Sequence, residues 1–95
     1  ARYLRGWQIV AKVLSCDEEG NALLTLNNKF GVGEDLELVG PGLRPAPFRA
    51  EGMRDGDGLP LDEVRRPQMT FQMRLPQVAP PLSLLRRQTE GLQGE

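Results

Sequence analysis

"QMTFQMRL", from Gln68 to Leu75, is the stretch whose reading decides the fold. Met69, Phe71, Met73 and Leu75 fall on one side and Thr70, Gln72 and Arg74 on the other. A period of two is the mark of a half-buried β-strand, since successive side chains point to opposite faces. The next residues, "PQVAPP", can neither be helical nor pair as a central strand, because proline lacks the N–H that either needs. "LSLLRR" then supplies a final short strand, and "QTEGLQGE", residues 88–95, reads as a disordered polar tail beyond a domain of residues 1–87.

The same period returns on the N-terminal side. "PAPFRAEGM" gives a short strand around Phe48 and Ala50, with Pro45 and Pro47 placing it at an edge or a bend. Glu34 to Val39 is a strand with Leu36 and Leu38 turned inward, stopped by Gly40-Pro41-Gly42. Ala22, Leu24 and Leu26 alternate with polar or outward positions, and so do Trp7, Ile9, Ala11 and Val13. Between those two runs "CDEEGN" is a polar turn, in which Gly20-Asn21 can take positive φ. Phe30 and Val32 sit in a glycine-spaced connection and are expected to turn inward and plug one end. No window holds a helical stripe free of glycine and proline. Six short strands spaced by turns predict an all-β domain, a small closed or nearly closed barrel, since closure removes exposed edges. Its expected interior is Trp7, Ile9, Val13, Leu24, Leu26, Phe30, Leu36, Leu38, Phe48, Met69, Phe71 and Met73.

Composition excludes more than it suggests. Ninety-five residues suffice for one modest core. No apolar run reaches membrane-spanning length and no signal-like segment appears, so a soluble, cytoplasmic excerpt of a longer protein is expected, without a membrane partner. A net charge of −1 gives the whole molecule no steering field for nucleic acid. There is no histidine, the commonest general base and metal ligand. Cys16 is the only cysteine and has no histidine to activate it. The two serines, Ser15 and Ser83, lie in no nucleophile motif, and no phosphate loop or dinucleotide fingerprint is present. No catalytic, cofactor or metal residue is therefore assigned.

Two acidic stretches resemble calcium loops only superficially. Alternation sends Asp35 and Glu37 away from Glu34, so the three carboxylates cannot converge and are expected to face water. In "RDGDGLPLDE", Leu59 stands where the third ligand oxygen belongs and Pro60 where the loop glycine belongs, so a tight turn is the better reading. Two arginine pairs, Arg65-Arg66 and Arg86-Arg87, are the candidate contacts for a polyanion. No aromatic interleaves with them, and solvated strand ends are the simpler reading of both pairs.

"NKFGVGEDLELVGP" followed by "EGMRDGDGLPLDEV", a proline, a strand and a terminal "LLRR" resembles the C-terminal domain of the collagenase-like peptidases, peptidase family thirty-two of the unassigned catalytic type. The resemblance covers roughly Trp7 to Arg87. Gly33-Glu34-Asp35 replaces the family's Gly-Asp-Glu, and Arg65-Arg66-Pro67 stands where Pro-His-Pro is frequent. The pattern is also similar to the β-barrel second domain of translation factors, which agrees with the barrel above and says nothing of activity. The resemblance implies a non-catalytic accessory barrel, whose partner is its own N-terminal catalytic domain or a polypeptide substrate. Some relatives hydroxylate RNA bases or the ubiquinone ring with iron–sulfur clusters held in their N-terminal part. Their existence implies the alternative, an RNA-positioning barrel.

Overall fold

The computed structural model describes residues 2–93, with side chains described within residues 6–88. It is all-β. Along the chain come β1 (Arg2–Cys16), β2 (Asn21–Leu26), β3 (Phe30–Gly31), β4 (Asp35–Val39), β5 (Ala46–Arg49), β6 (Glu63–Val64), β7 (Thr70–Arg74) and β8 (Leu84–Gln93). Six of these form one antiparallel sheet in the order β5-β4-β8-β1-β2-β7, which curls into a half-barrel. The described residues include no helix long and apolar enough to cross a membrane.

The two edges of that sheet, β5 and β7, nearly meet. The chain leaving β5 carries Met53 into the core and brings Arg54 beside β7. There Arg54 and Gln72 exchange both backbone hydrogen bonds, N–H to C=O, each at 2.8 Å. A half-barrel so bridged is nearly closed, as the strand pattern predicts. The short pair β3–β6 lies across one end, with Phe30 opposite Val64 and both buried. The Phe30 ring meets Phe71 in a tilted pair, centroids 5.6 Å apart at 59°. Neither two-residue strand was legible, because two residues carry no period. Phe30 plugs the end as expected, but Val32 does not. It is 52% exposed, because a turn in which Glu34 N–H donates to Gly31 C=O, with Gly33 at φ 94°, swings Val32 outward.

The larger correction is in β1. Ile9 pairs with Arg86 and Ala11 with Leu85, which leaves Val10 as an extra residue. This bulge puts Val10 and Ala11 both inside, and the Val10 carbonyl accepts the N–H groups of Asn27 (2.8 Å) and Asn28 (3.1 Å). Upstream of a bulge the two faces of a strand exchange. Trp7, expected inside, is therefore 47% exposed, and Ile9 is only partly covered. A second shift, between Val13 and Ser15, makes Leu14 the extra residue there and leaves Leu14 and Ser15 both exposed. Val13, Leu24, Leu26, Phe30, Leu36, Leu38, Phe71 and Met73 are core residues as predicted, while Phe48 and Met69 pack against the core without being enclosed.

β8 also departs from expectation. It continues to Gln93, pairing through Arg2↔Gln93 with the start of β1, where the sequence suggested a disordered tail after Arg87. Pairing along β1, itself longer than its apolar run, carries those polar residues into a strand. Residues 94 and 95 of the expected tail lie outside the described residues.

Candidate functional site

Adjacent residues on a strand point to opposite faces, so Arg86 and Arg87 separate at once. Arg86 is on the outer face. Its Nε and Nη2 both donate to Glu37 Oε1, at 2.8 and 2.5 Å, and its guanidinium carbon lies 3.7 Å from the centre of the Trp7 ring. Register explains the meeting, since Glu37 and Ile9 both stand directly opposite Arg86 on its two neighbouring strands. Arg87 follows the fully buried Leu85 by two positions and so points toward the barrel end. It donates to Glu34 Oε1 at 2.6 Å, to Lys29 C=O at 3.2 Å and to Gln8 Oε1. Glu34 meanwhile accepts the Gly31 N–H on its other oxygen, at 2.6 Å.

Two of the three clustered carboxylates are thus bound to the two arginines rather than facing water; Asp35 alone stands largely exposed, with Arg49 at 3.8 Å. Nor are Arg86 and Arg87 solvated at a strand end, since their side chains are 24% and 25% exposed within ion pairs. Arg65 and Arg66 lie elsewhere, exposed in the connection from β6 to β7, and Arg65 pairs with Glu63 at 2.9 Å. They border a shallow groove of about 400 Å³ that also contains Asp55, Asp57 and Glu63. The structure does not bring the four arginines into one positive surface.

No catalytic constellation emerges among the described residues. The Cys16 thiol is partly buried, donates to the Asp17 carbonyl and accepts the Ala79 N–H, each at 3.5 Å, with no base beside it. No three acidic or sulfur side chains of the described residues stand close enough to share a metal ion.

Three exposed apolar residues along the end of β1, Leu14, Val78 and Leu82, are the feature that sequence reading missed. The connection from Ala79 to Ser83 runs along the end of β1, held by Ala79 N–H on Cys16 Sγ and by Leu82 N–H on the Val13 carbonyl at 3.2 Å. Exposed Val78 and Leu82 therefore flank the stretch of β1 that bears exposed Leu14. Leu82 is the most telling of them. Its turn is closed by Ser83 N–H donating to Pro80 C=O at 3.2 Å, and Ser83 Oγ donates to the same carbonyl at 2.7 Å. Leu82 occupies the third place of that turn with φ 74°, a position that favours glycine. A bulky residue held there while 64% exposed is strained without gaining burial. Gln68 repeats the geometry at φ 66° after Pro67, but puts a polar side chain into water. A Pro-Pro-Leu-Ser sequence marks the turn but not the side on which leucine emerges.

Comparison with known proteins gives one family. The model described as "Peptidase family U32 C-terminal domain" matches residues 5–86. A crystal structure of the selenomethionine variant of the C-terminal domain of a Geobacillus thermoleovorans "putative U32 peptidase" superposes with a TM-score of 0.79 at 27% identity, covering 84% of this chain and 99% of that one. A second crystal structure of the C-terminal domain of the Geobacillus protein gives 0.79 at 25% identity, covering 86% and 92%. No curated protein sequence matches.

Proposed function

Because the chain belongs to the peptidase family U32 C-terminal domain family, we propose that it is a non-catalytic accessory barrel that packs on the catalytic part of its own enzyme and helps to position a polypeptide substrate. The observation that carries this reading is Leu82, an exposed leucine held in a left-handed backbone beside exposed Leu14 and Val78. Strain kept at an exposed side chain points to a contact made elsewhere. The RNA-positioning alternative has no comparable support, since Arg86 and Arg87 already hold carboxylates and Arg65 and Arg66 share their groove with acids.

The parent's own chemistry, hydrolytic or hydroxylating, would reside in the N-terminal part. An iron–sulfur cluster does not fit the present residues: such clusters need a set of thiolates, and Cys16 stands alone. The test is titration calorimetry between this domain and the separately purified N-terminal part of the enzyme. Binding should be abolished by Leu14→Glu combined with Leu82→Glu and unaffected by Arg65→Ala with Arg66→Ala. Leu82→Gly should weaken it too, while leaving the stability of the isolated domain within about 1 kcal/mol, as left-handed strain and glycine entropy offset each other. Full binding by the double glutamate variant would overturn the assignment.

A further inference from the structure

β7 is an edge strand of the sheet, and only its middle is paired on the open side. Arg54 takes both backbone groups of Gln72. In an antiparallel ladder the direction of these groups alternates, so Arg74, like Gln72, aims its N–H and C=O away from β2. The residue that would face Arg74 is Gly52, two before Arg54. Gly52 has φ 71° and makes no such pair, so the N–H and C=O of Arg74 have no backbone partner among the described residues. A groove of about 790 Å³ opens at this point, lined by Gly52, Arg54, Gln72 and Arg74.

Charge distinguishes this groove from the other surfaces. Arg54 and Arg74 are exposed and have no side-chain hydrogen bond or ion pair among the described residues, unlike Arg86 and Arg87. Asp17 also borders the groove, but its carboxylate already accepts the N–H groups of Glu19 and Asn21 on one oxygen and the Asn21 side chain on the other. We infer that this seam binds an extended acidic polypeptide segment, which adds to β7 by backbone hydrogen bonds at Arg74 and places carboxylates on Arg54 and Arg74. Strand addition suits a half-paired edge, and forked guanidinium groups suit carboxylates. The inference goes beyond the docking surface proposed above, uses different residues, and stands or falls separately from it.

The test titrates the isotopically labelled chain with a capped hexapeptide alternating valine and glutamate, its valine–glutamine counterpart, and a single-stranded uridine hexanucleotide. The glutamate peptide should shift the amide signals of Gly52, Gln72 and Arg74 and slow hydrogen exchange at Arg74 N–H. The glutamine peptide should bind at least about tenfold more weakly. Arg54→Gln combined with Arg74→Gln should lower the affinity for the glutamate peptide to the same level. Unchanged binding by the double variant, signal shifts confined to another face, or a response to the hexanucleotide and not to the peptide would each overturn the proposal. So would a double variant that merely self-associates when no peptide had bound, for the arginines would then be guarding the edge.

Discussion

Asp17 and Asp55 build the same turn twice. In each, one carboxylate oxygen accepts the N–H groups two and four residues on, at 2.9–3.0 Å, and the carbonyl accepts the N–H of a glycine three residues on, Gly20 or Gly58. Both glycines have positive φ, 90° and 82°. This is why "DEEGN" and "DGDGL" are hairpin corners and not cation loops: Asp17 and Asp55 use their oxygens on the backbone. Gly20 is the more constrained, since a Cβ there would lie 3.0 Å from the Leu75 carbonyl oxygen. Gly20→Ala should therefore cost more in chemical denaturation than Gly58→Ala, because this contact adds to a left-handed strain of about 1–2 kcal/mol that the reduced freedom of the unfolded chain offsets only in part. Gly58→Ala, with nothing within 4 Å, should cost no more than that strain. Asp17 also carries a pH signature. The Asn21 N–H, foremost, holds its carboxyl below its ordinary 3.8; desolvation, next in size, opposes this, and the Asn21 side chain and the Glu19 and Gly20 N–H groups lower it further. A lowered folded-state value means stability that is present above the unfolded value and is lost as pH falls through the folded one. Melting temperature followed down through that acid range should thus fall less steeply in Asp17→Asn than in the parent. Parallel curves would show that the turn contributes no such linkage.

At the scale of elements, legibility followed the regularity of each strand. β2, β4 and β7 keep strict alternation, and their buried faces at Leu24, Leu36, Leu38, Phe71 and Met73 were readable from period alone. β1 was readable only downstream of Val10. A bulge leaves no mark in composition, and every residue before it is assigned to the wrong face. The arginine sites failed for a related reason. Neighbours in sequence look like a pair, yet a strand turns them apart, whereas Arg54 and Arg74 are joined only by the seam between β7 and the segment after β5. The family resemblance did not depend on any of this, because order and spacing of turns survive a bulge. The bulge can be tested optically, as Trp7 is the only tryptophan. With the indole half exposed under Arg86, its emission in the folded protein should be readily quenched by acrylamide. Blue-shifted, protected emission would return Trp7 to the core and remove the bulge.

For the molecule as a whole, the question is what holds a curled sheet shut. The seam rests on one reciprocal pair of backbone bonds between Arg54 and Gln72, far less than the ladders on either side of β1. Its anchor is Met53, buried to 1%, whose carbonyl also accepts the Leu61 N–H at 2.8 Å. Phe71, by contrast, is fully buried at the centre, against Phe30. Truncating either side chain leaves a cavity, and the typical costs overlap, about 2–5 kcal/mol for methionine and about 3–5 for phenylalanine. The two should nevertheless differ in kind. Phe71→Ala removes contacts shared by the sheet and the end plug, so protection should fall throughout the barrel together. Met53→Ala loosens only the segment that closes it, and local opening needs less free energy than global unfolding. Native-state hydrogen exchange should therefore show the Gln72 and Arg54 amides losing more protection than those of β1 and β8 in Met53→Ala. In Phe71→Ala the losses should be equal. Equal losses in both variants would mean that the seam opens only when everything does, and the barrel would then be closed by its whole core and not by a clasp.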